Sequence, residues 1–149
     1  MSERPRHFNN LKSIIVTRML LSFGRSELGR YETRTSCAIR PDKFSELIVH
    51  LCLYRTDVAA CHRYPNADEA YLALDLYAGH TLELQQARRL KLLGAGLREY
   101  WALDFLDQSL TTFRGTTRSK YRTGDRISPE SFPDVEIEVE LSGKLMHMA

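Results

Sequence analysis

Long apolar runs and paired cysteines are the two most informative absences from this sequence of 149 residues. No apolar stretch approaches the roughly 20 residues needed to cross a bilayer, and the polar, basic N-terminus is unlike a signal peptide. Cys37, Cys52 and Cys61 include no CxxC pair, which argues against a disulfide framework and against a thiolate zinc site. We therefore expect a soluble, cytoplasmic protein with reduced thiols and no membrane segment.

The sequence also lacks an excess of one charge. Its 21 basic and 19 acidic side chains leave a net charge of +2, so composition alone does not indicate a polyanionic partner. The five histidines lack a metal-ligand spacing such as HxxxH, and no zinc site is expected. A chain of this length with 43% hydrophobic residues has the size of one domain, residues 1–149, with one core.

Hydrophobic periodicity divides the chain into a helix, a run of strands, a second helix and more strands. Helical spacing predicts helices over residues 10–23 and 81–93. Alternating or densely apolar segments predict seven strands, over residues 30–39, 46–55, 54–61, 71–77, 100–105, 110–113 and 135–141. This order indicates an α/β domain of the mixed α+β kind with a central sheet.

One acidic residue lies inside a predicted strand. Strict alternation over residues 71–77 places Asp75 on the face opposite Leu74 and Leu76. An acid in that position must face solvent, a cation or a hydrogen-bonding partner, because an unpaired buried carboxylate is costly. Asp75 is therefore a candidate to line a site.

The most specific pattern surrounds the only tryptophan. Gly94 and Gly96 end the second helical run, and residues 100–105 and 110–113 form a predicted hairpin. Residues 95–104, Ala-Gly-Leu-Arg-Glu-Tyr-Trp-Ala-Leu-Asp, resemble the signature of the Uma2 family in the PD-(D/E)xK nuclease superfamily. The resemblance implies a restriction-endonuclease-like fold, with a central mixed sheet flanked by helices.

Shorter motifs extend the resemblance over nearly the whole chain. Residues 4–11 resemble the start of the family's first core helix, and residues 127–135 resemble its ending. Residues 55–59 resemble its Pro-Asp-Val-Ala strand, and residues 70–76 its Pro-Asp-Leu-Val-Val-Glu-Val strand. Family members usually begin with a longer segment carrying Tyr-Glu-Leu-x-x-Gly-Glu, which this sequence lacks.

The resemblance implies an endonuclease that depends on Mg²⁺ or Mn²⁺ and acts on nucleic acid, DNA in the first instance. It assigns Asp57 and Asp75 as metal ligands and the Leu76 carbonyl as a third ligand, since magnesium prefers oxygen. Arg88 falls where the family has lysine, and Lys91 lies one turn further along the helix. The metal would activate water and one of these cations would stabilise the developing charge.

Departures from the family pattern leave alternatives open. Asp75 replaces a glutamate, and Arg88 can clamp a phosphate but cannot readily abstract a proton, because arginine stays protonated. The site could therefore be weakened or inactive. The chain would then be a non-catalytic nucleic-acid-binding domain of the same fold, or a structural or dimerisation module. Fold analogy also predicts a homodimer.

Two further groups of residues have both a structural and a nucleic-acid-binding interpretation. Tyr100 and Trp101 could stack on bases, although aromatic side chains in a central strand are more often core, and we expect Trp101 to be buried. Local positive charge suffices for contacts with a phosphate backbone. One basic segment toward the C-terminus could provide this charge, or it could be only a solvated loop. Its basic residues are Arg114, Arg118, Lys120, Arg122 and Arg126.

Overall fold

A computed structural model describes three stretches of the chain, residues 3–25, 28–77 and 82–141, with side chains from residue 14 onward. The helices are α1 (Glu3–Arg25), α2 (Thr56–Ala60) and α3 (Leu82–Gly94), and a single 3₁₀ turn covers Ala67–Glu69. The strands are β1 (Glu32–Asp42), β2 (Ser45–Tyr54), β3 (Ala70–Tyr77), β4 (Tyr100–Asp104), β5 (Ser109–Arg114), β6 (Thr117–Arg122), β7 (Arg126–Ile127) and β8 (Ile137–Glu138). Within these stretches, none of the helices combines the length and the apolar character needed to cross a membrane.

Six strands form one mixed sheet in the order β1-β2-β3-β4-β5-β6. Its neighbours are antiparallel except β3 and β4, which run parallel. A parallel pair needs a crossover connection, and α3 lies in the chain between these two strands. β7 and β8 form a separate two-stranded sheet. The mixed α+β class predicted from the sequence is confirmed.

The sheet buries apolar side chains on both faces. On one face, Phe23 of α1 packs against the fully buried Trp101, with ring centroids 5.8 Å apart. On the other face, Leu92 of α3 and Val58 of α2 belong to one apolar cluster with Tyr100. We call this second side the α3 face. The expectation that Trp101 is a core residue is confirmed.

Alternation along β3 sorts its side chains between the two faces. Leu72, Leu74 and Leu76 join the cluster that includes Trp101, whereas Ala73 joins the cluster on the α3 face. Because strand side chains alternate with a period of two, Asp75 also points toward the α3 face. The sequence pattern placed this acid correctly.

The strand predicted over residues 54–61 is wrong. Tyr54 ends β2, and α2 follows at once, closed by backbone hydrogen bonds from Cys61 to the Val58 carbonyl and from His62 to the Ala59 carbonyl. Two physical features favour the helix: an acid in its first turn, which suits the helix dipole, and the alanine pair at its end. The chain therefore leaves the sheet before Asp57.

Other element boundaries also differ from those predicted. α1 begins at Glu3 rather than at residue 10. The start predicted for the second helix, residue 81, lies outside the described residues, within which α3 begins at Leu82. The basic segment expected as a loop contains β6, whose alternation places Tyr121 against the core and leaves the basic side chains exposed. Charged residues are a usual feature of edge strands, since they discourage pairing with another chain. The strand predicted over residues 135–141 shortens to β8.

Candidate functional site

A gap between β2 and β3 lies at the centre of the candidate site. The antiparallel pairing of these strands extends from Tyr54 opposite Ala70 to Leu51 opposite Leu74. Beyond that pair, the Leu76 N–H donates to Nδ1 of His50 at 3.2 Å, and the carbonyl of Ile48 accepts a hydrogen bond from Nη2 of Arg88. Side chains thus replace the backbone partners where the strands diverge.

Asp75 lies in this gap and is only 4% exposed. Its Oδ2 accepts hydrogen bonds from Nε of Arg88 at 2.9 Å and from the Tyr100 hydroxyl at 2.5 Å. Its Oδ1 accepts from Nη2 of Arg88 at 3.2 Å. Both carboxylate oxygens therefore have protein partners, and the arginine binds them in the two-pronged geometry that makes such pairs strong.

The same contacts set the protonation states of the cluster. Burial acts to raise the pKa of the Asp75 carboxyl, but the hydrogen bonds from Arg88 and Tyr100 hold this pKa below its usual value. Burial and the adjacent carboxylate raise the pKa of Tyr100 well above its usual value. Asp75 is thus an acceptor and Tyr100 a donor at neutral pH.

His50 is a member of the cluster that no sequence pattern predicts. Its Nδ1 lies 3.5 Å from Oδ1 of Asp75, and its side chain is 37% exposed. Because Nδ1 accepts the Leu76 N–H, a neutral His50 carries its proton on Nε2. No sequence signal marks this residue, since its proximity to Asp75 depends on where the pairing of β2 and β3 ends.

Asp57 lies far from this cluster. Its side chain is 64% exposed and pairs with Arg55, with N···O distances of 3.0 and 2.6 Å. The Arg55 contact lowers the pKa of Asp57. Tyr54, which ends β2, pairs with Ala70, five positions before Asp75, and at about 3.3 Å per residue this places the end of β2 roughly 16 Å from Asp75. Asp57 follows that end of β2, in α2.

Of the remaining predicted site residues, two lie at the Asp75 cluster and one lies away from it. Arg88 contacts Asp75 directly, and Leu76 follows Asp75 in β3 with its N–H bonded to His50. Lys91 is exposed, and its charge acts on Asp42 at the end of β1. The structure therefore brings together Asp75, Leu76 and Arg88, and it leaves Asp57 and Lys91 elsewhere.

The residues around Asp75 do not fit the Mg²⁺ site that the Uma2 resemblance implies. Magnesium needs free oxygen ligands in near-octahedral positions, whereas Arg88 and Tyr100 already bind the oxygens of Asp75. Over residues 3–25, 28–77 and 82–141, no three His, Cys, Asp or Glu side chains are grouped so that they could hold a metal ion. The predicted pair of Asp57 and Asp75 is not formed.

Glu99, which begins the Glu-Tyr-Trp pattern, is fully buried and binds the C-terminal segment to the sheet. Its Oε2 accepts hydrogen bonds from Nε1 of Trp101 at 2.6 Å and Nε of Arg114 at 2.5 Å. Its Oε1 accepts the N–H of Glu130 at 2.8 Å, and Arg114 also bonds the Ser128 carbonyl. This segment, and Arg114 with it, is structural.

A basic surface borders the α3 face at β6. In the register of the sheet, four residues lie side by side on neighbouring strands: Asp75 of β3, Ala102 of β4, Thr111 of β5 and Lys120 of β6. At about 4.8 Å per strand, Lys120 lies roughly 14 Å from Asp75 on the same face. Arg118 and Arg122 occupy the flanking positions of β6.

α3 contributes a further cation to this surface. The Arg89 guanidinium lies 4.1 Å from the ring centroid of Phe113, and that of Arg118 lies 5.7 Å from the same ring. Asp107 pairs with Lys120 at 2.9 Å and Arg122 at 3.4 Å. We define the basic surface as Arg89, Arg118, Lys120 and Arg122; Arg126 pairs instead with Glu136 at 2.7 Å.

Known proteins are similar to this chain in fold rather than in sequence. No protein-family model matches the sequence, and no curated protein matches it either. Among solved structures, it is similar to a "putative nuclease belonging to DUF820" from Anabaena variabilis ATCC 29413, with a TM-score of 0.70 and 8% sequence identity. The match covers 88% of this chain and 79% of that protein. The mixed sheet and its flanking helices therefore form a nuclease-like fold, as the sequence analysis expected.

Proposed function

We propose that this chain is a nucleic-acid-binding domain built on a nuclease-like fold, with an internal ion pair in place of a metal centre. The observation that carries the proposal is the complete bonding of Asp75 by Arg88 and Tyr100. Removing Arg88 from Asp75 would leave a buried charge unpaired, which typically costs about 3–5 kcal/mol. The carboxylate oxygens are therefore bonded within the protein rather than left available to a metal ion.

The basic surface supports binding to a phosphate backbone. Arg89 and Arg118 rest against Phe113, and a guanidinium stacked on a ring keeps its N–H groups available at its edge. Among the described residues, no carboxylate forms an ion pair with either arginine. Contacts with phosphates depend on charge and shape and not on base sequence. The proposal therefore covers nucleic acid generally, and DNA is the first ligand to test.

The alternative function is the metal-dependent endonuclease activity implied by the Uma2 resemblance. Its support is the shared fold with the DUF820 protein from Anabaena variabilis. This activity requires Arg88 to leave Asp75, as well as a second oxygen-bearing ligand for Mg²⁺ or Mn²⁺ that Asp57 does not provide from its position on α2. It differs from the first proposal in predicting cleavage.

Binding to labelled DNA at several salt concentrations tests the first proposal. We expect affinity to fall as salt rises, and Arg118→Gln and Arg89→Gln each to reduce the slope of log affinity against log salt by about 1. Fluorescence anisotropy measures both quantities. Arg126→Gln is the matched control, because Arg126 is paired with Glu136 outside the basic surface. Equal weakening by all three variants would contradict a specific role for this surface.

A further inference from the structure

A polar cavity lies at the end of β2 that is remote from Asp75. It has a volume of about 270 Å³ and is bounded by β1, the end of β2, α2 and the loop that follows α2. Its lining residues are Arg34, Tyr54, Ala59, His62, Arg63 and Tyr64. Every side chain in this set except Ala59 can donate a hydrogen bond, and none is a carboxylate.

Tyr54 provides a hydroxyl donor at the wall of the cavity. The residue is only 1% exposed and lines the cavity. Among the described residues, no hydrogen bond to its hydroxyl is formed. Burial raises the pKa of this phenol, so it stays protonated. The hydroxyl oxygen is not one of the enclosed polar atoms that lack a partner, and Tyr54 lines the cavity, so a ligand in the cavity could supply the acceptor.

Arg34 and Arg63 provide the positive charge. Arg34 is exposed on β1, and none of the carboxylates in the described stretches pairs with it. Arg63 is fixed by Glu69 through two hydrogen bonds of 2.7 Å, which use part of its set of five N–H donors. Glu32 acts electrostatically on Tyr54, and Glu69 and Asp57 act on Arg63, so these acids oppose an anion in the cavity.

The loop after α2 brings an aromatic ring to the same cavity. His62 has a φ of +56°, a left-handed conformation that is uncommon outside glycine, and it turns the chain directly after α2. Tyr64, two residues later, lines the cavity and is 46% exposed. An exposed ring beside a cationic pocket can stack on a planar base.

We propose that this cavity binds the phosphate of a nucleotide, with Arg34, Arg63 and the Tyr54 hydroxyl holding the phosphate and Tyr64 contacting the base. Its volume of about 270 Å³ lies just below the usual range for ligand pockets, roughly 300–1,000 Å³, which suits one nucleotide better than a longer ligand. A free mononucleotide and the terminal nucleotide of a strand share this chemistry. The site is separate from the basic surface and does not depend on the function proposed above.

Calorimetric titration of the full chain at constant ionic strength tests the cavity. The ligands are AMP, adenosine, inorganic phosphate, and one short oligonucleotide with and without a 5′-phosphate. We expect AMP or the 5′-phosphorylated strand to bind more tightly than adenosine or the unphosphorylated strand. Saturable binding of AMP identifies a free nucleotide as sufficient, whereas binding of the phosphorylated strand alone identifies a strand terminus.

Two variants and one control make the outcome decisive. Tyr54→Phe removes only the hydroxyl, and Arg34→Gln removes the unpaired charge; each is expected to weaken phosphate-dependent binding about tenfold. Arg126→Gln, outside both the cavity and the basic surface, is expected to leave AMP binding unchanged. No preference for any phosphate-bearing ligand, or equal binding by the parent and Tyr54→Phe, would overturn the proposal. Neither result bears on DNA binding by the basic surface.

Discussion

Burial and bonding act in opposite directions on the carboxylate of Asp75. Desolvation favours its neutral form, whereas the Arg88 guanidinium and the Tyr100 hydroxyl favour its charged form. The net result is a pKa below the usual value. The charge of Asp75 is therefore stable in the folded protein only while Arg88 remains in place.

Removal of Arg88 gives a direct measure of this dependence. We expect Arg88→Ala to lower the free energy of unfolding by about 3 kcal/mol, because it leaves the Asp75 carboxylate buried without its cation. Urea denaturation of the two proteins measures the difference. The double variant Asp75→Asn with Arg88→Ala should recover part of the loss. A loss below about 1 kcal/mol, typical of surface pairs, would contradict a buried structural pair.

The loss of stability at acid pH is a second test of the role of Asp75. Because the folded pKa of Asp75 is lowered, its contribution is complete above the unfolded value of about 3.9 and is lost as pH falls through the folded value. The parent should therefore lose stability more steeply than Asp75→Asn as pH falls below roughly 4. Urea denaturation at several pH values measures this. Parallel curves for the two proteins would show that Asp75 does not carry the effect.

Glu99 has a structural role that a fluorescence measurement can isolate. The chain has one tryptophan, and Glu99 accepts the hydrogen bond of its indole N–H. Glu99→Gln keeps an acceptor but removes the charge that pairs with Arg114. We expect a loss of about 3 kcal/mol in the free energy of unfolding and a shifted Trp101 emission in the folded state. Unchanged emission and stability would mean that this network does not hold the C-terminal segment.

At the level of elements, the end of α3 depends on one glycine. Gly96 has a φ of +108°, and a Cβ built there would lie 2.8 Å from Cβ of Asp68. We expect Gly96→Ala to destabilise the fold by about 1–3 kcal/mol, since both the backbone angle and the contact are unfavourable. Gly94→Ala is the matched control: its Cβ would meet nothing within 4 Å, so thermal unfolding should show little change. Equal effects of the two substitutions would contradict this account.

The elements that the sequence predicted well are those whose pattern is local. Alternation along β3 placed Asp75 on the face opposite Leu74, and the hairpin of β4 and β5 forms where it was predicted. The strand expected over residues 54–61 failed because only Val58 is buried in α2, and so short a segment gives no clear period. His50 was missed because its contact with Asp75 depends on the register between two strands, which is not a local property.

At the scale of the whole molecule, the sheet places two polar sites at opposite ends of β2 on the α3 face. Asp75 lies where β2 and β3 diverge, and the phosphate cavity lies where β2 ends in Tyr54. Lys120 and the rest of the basic surface lie three strands from Asp75, along one row of the sheet. The site implied by the Uma2 resemblance is thus distributed over separate regions of the fold. The homodimer expected from fold analogy stays a prediction.

Incubation of labelled duplex DNA with the full chain and Mg²⁺ or Mn²⁺ tests the central claim most directly, because binding and cleavage are read from the same sample. The closed ion pair of Asp75 and Arg88 predicts that the DNA is bound at low salt, released at high salt and recovered at its original length. Asp75→Asn should give the same result once its folding has been verified by circular dichroism. Metal-dependent cleavage by the parent that is lost in Asp75→Asn would contradict the claim and show that the Asp75 carboxylate is required for catalysis.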